Sequence, residues 1–362
     1  MQFCWWQASS PRSLPRFTGS SPTVTAKCRG APDNLGSMTW LVTGGAGYIG
    51  AHVVRALLDS GMPTVVVDDL SSGHREFVPA EAPFVRGSIL DGALMIRALE
   101  EHDVTGVIHV AGFKYAGVSV QRPLHTYEQN VSGTAVLLGA MQDRGVDRIV
   151  FSSSAAVYGT PDVELVTEET PKAPESPYGE SKLIGEWLLA DQGVAVGLRH
   201  TSLRYFNVVG SGDPSLYDTS PHNLFPLVFD ALVEGRTPQI YGDDYPTPDG
   251  TNVRDYLHVA DLAMAHVAAA QRLDAGEPLE AAYNLGSGEG VSVAEIMAAI
   301  ARVTGIPFTP TIAPRRAGDP PRIVASGEKA ARDLDWRMRH SLDEMVASAW
   351  NARRNAGASY PG

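Results

Sequence analysis

Thr39-Trp40-Leu41-Val42-Thr43-Gly44-Gly45-Ala46-Gly47-Tyr48-Ile49-Gly50 runs an apolar strand into three glycines spaced three apart, Gly44, Gly47 and Gly50. Ala51, Val53, Val54, Ala56, Leu57 and Leu58 follow at the spacing of an amphipathic helix. This is a strand–turn–helix unit. Its turn lets the backbone approach a pyrophosphate, and its helix N-terminus offers free N–H groups and the positive end of a dipole. A second strand, Thr64-Val65-Val66-Val67, ends in Asp68 and Asp69, and Asp68 lies 18 residues after Gly50. A carboxylate there accepts both ribose hydroxyls of an adenosine and repels a 2′-phosphate, which favours NAD over NADP. A glycine-rich turn alone is weak evidence; strand, glycines, helix and acid in register make a dinucleotide site.

Strand and helix patterns alternate from residue 39 to about 200. Strands are expected at 84–86, 106–110 and 147–152, helices at 91–101, 123–144 and 178–191, and further strand character from 194 to 207, with Gly145 closing the 123–144 helix. Alternation of this kind implies a doubly wound parallel α/β sheet with ligands at the carboxyl ends of its strands. From 208 the regularity breaks into Gly-, Pro- and Asp-rich stretches and shorter elements, expected as a smaller C-terminal α/β portion. Its helices are expected near 224–234, 260–272, 293–304 and 342–352, and its strands near 239–241 and 283–285. The expected division is a dinucleotide-binding part at 38–207 and a substrate-binding part at 208–362, with some crossing of the chain between them.

The 362 residues suffice for about two domains. A net charge of −12 argues against a nucleic-acid partner. No apolar run approaches a membrane span. The cysteines are Cys4 and Cys28, so neither a disulfide framework nor a cysteine-based metal site is expected, and a reducing cytoplasm fits. Both lie in residues 1–37, rich in Ser, Pro and Arg, with Asp33 as the one acid against Arg12, Arg16, Lys27 and Arg29. This stretch reads as a disordered leader without a catalytic role, with Met38 as the start of the body.

Tyr178 and Lys182 form a YxxxK pair in Ser176-Pro177-Tyr178-Gly179-Glu180-Ser181-Lys182. Four residues apart on a helix they share a face. A phenol is a poor base at neutral pH. A nearby ammonium and an oxidised nicotinamide ring would both favour the phenolate. Phe151-Ser152-Ser153-Ser154-Ala155-Ala156-Val157-Tyr158-Gly159 puts serines at a strand's carboxyl end, where a hydroxyl can relay a proton or polarise a substrate oxygen. Each pattern also occurs with purely structural roles.

Together these stretches resemble the extended short-chain dehydrogenase/reductase family, and within it the sugar-nucleotide 4-epimerases. The resemblance covers Met38–Gly362. It includes Ala111-Gly112-Phe113-Lys114, Leu203-Arg204-Tyr205-Phe206-Asn207, Tyr245-Pro246-Thr247-Pro248-Asp249-Gly250-Thr251, Val253-Arg254-Asp255-Tyr256 and Ala313-Pro314-Arg315-Arg316-Ala317-Gly318-Asp319. It implies an NAD-binding Rossmann fold and interconversion of UDP-glucose and UDP-galactose by oxidation at C4, turning of the 4-keto sugar and re-reduction. By resemblance, Tyr178 is the base, Lys182 holds the nicotinamide ribose and lowers the Tyr178 pKa, and Ser154 hydrogen-bonds the 4-oxygen.

The cofactor positions implied are Gly44, Gly47, Tyr48, Ile49, Gly50, Asp68, Asp69, Ser88, Ile89, Val110, Ala111, Gly112, Lys114, Asn130, Ser152, Tyr178, Lys182 and Tyr205. The UDP-sugar positions implied are Lys114, Ser154, Tyr178, Asn207, Asn223, Leu224, Tyr241, Arg254, Arg316, Asp319 and Ile323. The arginines match diphosphate-binding positions, and Asp319 a uridine ribose contact. Ser88 stands where the family often has an acid, and Val208 where it often has proline. Ile323 is intermediate in size at the position that limits bulk near an N-acetyl group, which leaves the breadth of sugars open.

Sugar-nucleotide 4,6-dehydratases share the fold but need an acid–base pair just after the strand-end serine, where Ala155-Ala156 stand. A non-catalytic NAD-binding module would not need Ser154, Tyr178 and Lys182 together. UDP-N-acetylhexosamines, UDP-pentoses and UDP-uronates remain alternative substrates. The two long helices, 123–144 and 178–191, suit a homodimer through a four-helix bundle.

Overall fold

The computed structural model of the protein describes residues 38–316 and 319–358. The chain divides into two units, Met1–Gly36 and Ser37–Gly362, and the described residues belong to the second. The expectation for residues 1–37, with both cysteines, lies outside the described residues, as do Ala317 and Gly318.

Strand β1 (Thr39–Thr43) leads through the glycine turn into α1 (Tyr48–Asp59), followed by β2 (Thr64–Asp68), β3 (Phe84–Arg86), α2 (Gly92–Glu101) and β4 (Val104–His109). Asp91 starts α2 by accepting from the Leu94 N–H at 2.9 Å. Helix α3 (Ala116–Gln121) was absent from the sequence pattern. The helix expected over 123–144 is helical throughout but widens in its middle: α4 (Pro123–Tyr127), a π segment (Glu128–Ser132) and α5 (Gly133–Arg144). The π turn lies where Asn130 turns inward, its Oδ1 accepting from Phe113 N at 2.6 Å and its Nδ2 donating to Phe113 O at 3.0 Å. Gly145 closes α5 in the left-handed region, as expected.

Strand β5 (Arg148–Ser152) is followed by α6 (Pro177–Val196), which is longer than the sequence suggested. The helix ends only where Gly197 takes a φ of +77°, so the strand character expected from 194 begins at β6 (Arg199–Tyr205). The remaining elements are β7 (Asn207–Val209), α7 (Leu224–Val233), β8 (Gln239–Tyr241), β9 (Val253–Arg254), β10 (Tyr256–His258), α8 (Val259–Asp274), β11 (Ala282–Leu285), β12 (Val291–Ser292), α9 (Val293–Thr304), β13 (Thr311–Ala313), β14 (Arg322–Ile323), α10 (Glu328–Asp333) and α11 (Leu342–Ala358).

The main sheet has seven parallel strands in the order β3-β2-β1-β4-β5-β6-β11. Its last strand comes from the second half of the chain. The order reverses between β1 and β4, which opens a crevice at their carboxyl ends. Helices α1 and α8 cover one face through Val53, Leu57 and Leu262 against Val42 and Ile108. Leu137, Met141 and Leu189 cover the other face against Leu41, Val107 and Phe151. Each such fully buried side chain contributes roughly 1.5–3 kcal/mol. A third core, with Phe225, Phe229, Tyr256, Ile296 and Met345, holds α7, α9 and α11 together in the C-terminal portion. Its strands form short satellite sheets: β10 with β7, β12-β9-β14, and β13 with β8.

Candidate active site

One cavity of about 930 Å³ runs from the glycine turn, past Tyr178 and Lys182, to Arg254, Arg316 and Asp319. At its first end Gly44 has a φ of +73°, and a side chain there would meet Ala111 N at 2.7 Å. A Cβ on Gly50 would lie 2.1 Å from the Gly44 carbonyl oxygen. Gly47 begins α1 without a side-chain cap. The turn is therefore packed to backbone thickness, with amide donors at the head of a helix, and an anionic pyrophosphate fits it. Tyr48 is buried behind this turn and donates to the Gly210 carbonyl at 2.6 Å.

Asp68 is buried at the end of β2, and burial raises its pKa. Its two oxygens take the Ala46 N–H at 3.0 Å and the Leu70 N–H at 2.8 Å, leaving lone-pair capacity for ribose hydroxyls. Asp69 is exposed beside it. Ser88 and Ile89 line the same end, with Ser88 Oγ accepting from Leu90 N at 3.2 Å. Val110, Ala111, Gly112 and Lys114 line the crevice beyond β4.

At the centre, Ser154 Oγ accepts from Ala156 N at 3.2 Å, and its hydroxyl lies near Tyr178. Lys182 is buried and donates from Nζ to the Ser152 carbonyl at 2.8 Å. The ammonium lies 6.0 Å from the centre of the Tyr178 ring. Burial pushes the Tyr178 hydroxyl above its ordinary value, and the Ser154 side chain pulls it partly back. Burial also brings Lys182 down to about 8. In the protein alone burial leads among the causes that act on Tyr178 and Lys182 is not one of them, so a phenolate needs further positive charge beside the ring. Tyr205 lines the wall next to Tyr178; burial raises it too, and the Ser152 side chain draws it partly back.

At the far end, Arg254 Nη2 meets Asp319 Oδ1 at 2.7 Å, and Asn252 Nδ2 donates to Asp319 Oδ2 at 3.0 Å. The Arg316 guanidinium lies 4.0 Å above the Tyr241 ring. Asn207 Nδ2 donates to the Asp255 carbonyl at 3.0 Å, and Asn223 Nδ2 to Asp218 at 2.6 Å. Leu224 lies beside Asn223 on the wall.

Four expected site residues stand behind the wall rather than on it. Ser152 accepts from Lys182 through its carbonyl, and Ser154 is half-buried beside Tyr178. Asn130 is buried, gripping the Phe113 backbone and donating to Ser181 Oγ at 2.8 Å. Ile323 packs with Phe206 against Tyr158 and Leu183, in register with Arg254 across the β9–β14 pair. Val208 lies in β7, in register with Leu257 of β10. The sequence reading missed Tyr115, whose ring meets His222 edge-on at 5.0 Å, and Arg353 of α11, paired with Asp230 at 2.8 Å. Tyr115 directly follows the Ala111–Lys114 loop, which was its one available signal.

The family model described as "NAD dependent epimerase/dehydratase family" matches residues 40–286. A UDP-glucose 4-epimerase of Lacticaseibacillus casei is 43% identical over 323 residues, 88% of this chain and 97% of the relative. The crystal structure of a UDP-glucose 4-epimerase from Brucella ovis in complex with NAD superposes with a TM-score of 0.84 at 41% identity, covering 86% of this chain and 97% of that one. The Bifidobacterium longum UDP-glucose 4-epimerase in complex with NAD+ and UDP superposes with a TM-score of 0.82 at 39% identity, covering 89% and 100%. With matches of this extent and a site of this build, the chain belongs to the NAD-dependent epimerase/dehydratase family, in its UDP-glucose 4-epimerase branch.

Proposed function

We propose that this chain interconverts UDP-glucose and UDP-galactose at C4 and keeps its NAD throughout the cycle. One observation carries the reading: Tyr178 and Lys182 stand where a single cavity joins the glycine-turn cradle to the Arg254–Arg316 end. The cofactor would be held by the Gly44–Gly50 turn, Asp68 and Lys182, and the UDP by Asn207, Asn223, Arg254, Arg316 and Asp319. Residues 38–207 would then supply most cofactor contacts, and 208–362 most UDP-sugar contacts. NAD, when bound, accepts hydride from C4 and returns it to the opposite face, so no net oxidation occurs.

The protein's part is proton handling and anchoring. Tyr178, with Ser154 beside it, takes the proton of the 4-hydroxyl and gives it back after the sugar has turned. Lys182 keeps a positive charge beside the phenol. Arg254 and Arg316, with their planar forks, hold the diphosphate as the pivot about which the 4-keto sugar turns within the cavity. Incubation with UDP-galactose and no added nucleotide, with separation of products, tests this. UDP-glucose formed at a catalytic rate supports it; no product even with NAD supplied rejects it. UDP-N-acetylgalactosamine, tried next, tests the breadth left open by Ile323.

The same reading places the enzyme in galactose metabolism in the cytoplasm, and none of the helices among the described residues is long and apolar enough to cross a membrane. A homodimer is favoured by exposed apolar side chains on α4 and α6: Leu124 is 83% exposed, Trp187 57% and Val194 91%. A monomeric mass in light scattering at micromolar concentration would count against it.

A further inference from the structure

Behind Ser154, Tyr178 and Lys182 lies a second set of charges off the cavity wall. Tyr178, Lys182 and Glu186 follow one another at four-residue intervals along α6, on one face. The Glu186 carboxylate receives Arg204 Nε at 2.8 Å and Nη2 at 2.5 Å, a bidentate grip. It also receives the Ser153 hydroxyl at 2.6 Å. Arg204 Nη1 donates to the Tyr158 hydroxyl at 2.7 Å, which donates to Asn284 Oδ1 at 2.8 Å. The Arg204 and Glu186 side chains are 6% and 10% exposed. One ion pair thus ties α6 to the carboxyl ends of β5, β6 and β11.

A buried ion pair is a poor stabiliser in itself, because desolvation offsets its attraction. This one sits where position matters. Ser153, which Glu186 grips, stands between Ser152, whose carbonyl takes Lys182, and Ser154, whose hydroxyl meets Tyr178. We propose that Glu186, clamped by Arg204, is a positioning residue that sets the Ser152–Ser154 strand end against α6 and keeps the Lys182 ammonium charged.

The groups facing Lys182 support the second role. Its own helix offers Tyr178 and Glu186. Strand β4 offers His109, buried and held neutral, with its pKa lowered to about 3. Strand β5 offers the Ser152 carbonyl and the Phe151 ring, and β6 offers Tyr205 and Arg204. From α8, His266 stands behind Ser152, accepting its hydroxyl at 2.9 Å, and is also kept neutral, at about 4. Glu186 is the anion of this set, and its charge partly offsets the burial that lowers Lys182.

The activity readout rests on the epimerase reading above; cofactor retention does not. Three variants separate the roles: Glu186→Gln, Ser153→Ala and the double variant Glu186→Gln with Arg204→Met. Each is measured for kcat and KM with UDP-galactose from pH 6 to 10, for bound cofactor retained through gel filtration over the same range, and for thermal unfolding. Glu186→Gln is expected to move the alkaline limb of both profiles down by roughly one pH unit with little change in KM. Ser153→Ala is expected to lower kcat about tenfold with the limb unmoved. The double variant, with no unpaired buried charge, is expected to unfold near the wild-type temperature and to keep a smaller downward shift of the limb, because loss of the Arg204 cation offsets part of the loss of the Glu186 anion. It carries the charge test if Glu186→Gln alone does not fold. Unmoved limbs in both charge variants, or activity restored together with stability in the double variant, would overturn the proposal. A wild type without turnover would instead sink the epimerase reading, and the retention profile would still decide this one.

Discussion

Arg254 and Asp319 meet at 2.7 Å on the cavity wall, so one of the two arginines proposed to hold the diphosphate already has a counter-ion. An incoming diphosphate must share the guanidinium with that carboxylate. Removing Arg254 would leave the half-buried Asp319 facing the phosphates unpaired, and truncating one partner of such a pair costs about 2–5 kcal/mol. Arg254→Met should therefore raise KM for UDP-galactose by roughly 30-fold or more, with a much smaller fall in kcat. Asp319→Asn should do less, because it removes a repulsion together with a hydrogen-bond acceptor. Steady-state kinetics on the two variants decide this; a fall in kcat at constant KM for Arg254→Met would contradict it.

Tyr178→Phe removes the hydroxyl but keeps the ring. Loss of a general base typically costs 10²–10⁴-fold, and kcat should fall by about that factor. Cofactor contacts at the glycine turn and Asp68 are untouched, so bound NAD, read from absorbance after gel filtration, should persist. A non-catalytic module would show no turnover to lose. Ser154→Ala should cost less, because the phenol survives and only its hydroxyl neighbour goes.

The glycine turn and the YxxxK pair were legible because both are local. Gly44 and Gly50 are dictated by backbone contacts within their own turn and with Ala111, and a four-residue spacing on a helix puts Tyr178 and Lys182 on one face whatever the rest does. The doubly wound sheet followed from the alternation of patterns. What stayed hidden depends on partners distant in sequence. Glu186 reads as an ordinary polar helix residue until Ser153 and Arg204 are folded against it. The π turn is invisible in the local pattern, and the Phe113 backbone that Asn130 grips there lies 17 residues away in sequence. The end of α6 was placed too early: the helix runs on through Gly193 and stops only at Gly197. In Val253-Arg254-Asp255-Tyr256 the resemblance pointed to a ligand at Arg254, but the neighbouring Asp255 serves the fold.

Asp255 is fully buried, and its carboxylate accepts from Ser287 N at 2.9 and 3.0 Å and from Ala325 N at 3.0 Å. All of these partners are donors. Asparagine would keep the shape but turn an amide toward N–H groups, leaving a buried donor unsatisfied. Asp255→Asn should cost about 2–3 kcal/mol, seen as a lower urea midpoint at unchanged slope. Because these bonds hold the loops beside Arg254, KM for UDP-galactose should rise as well. A variant with wild-type stability would show that the carboxylate is dispensable.

His258 should govern part of the protein's acid sensitivity. Its Nδ1 accepts from Ala260 N at 3.0 Å, capping α8, so Nε2 carries the hydrogen and donates to Ser348 Oγ at 3.0 Å on α11. Its ring stacks on His340 at a centroid distance of 3.9 Å. Burial, and then the neighbouring His340, lower its pKa to about 4, against an ordinary 6.5. Above pH 6.5 the ring is neutral whether folded or not, and stability is unaffected. Between 6.5 and about 4 the unfolded chain takes up a proton that the folded chain refuses, so stability falls with pH, by about 1.4 kcal/mol for each pH unit crossed in that window. Protonation of Nδ1 would also set a donor against the Ala260 N–H and lose the cap. Asparagine accepts at the same position without titrating. His258→Asn should therefore cost little at pH 7 and flatten the loss of urea stability between pH 6.5 and 4.5. His52 and His266, also at about 4, would account for a remaining slope. Parallel curves for wild type and variant would mean that His258 does not resist protonation in the folded protein.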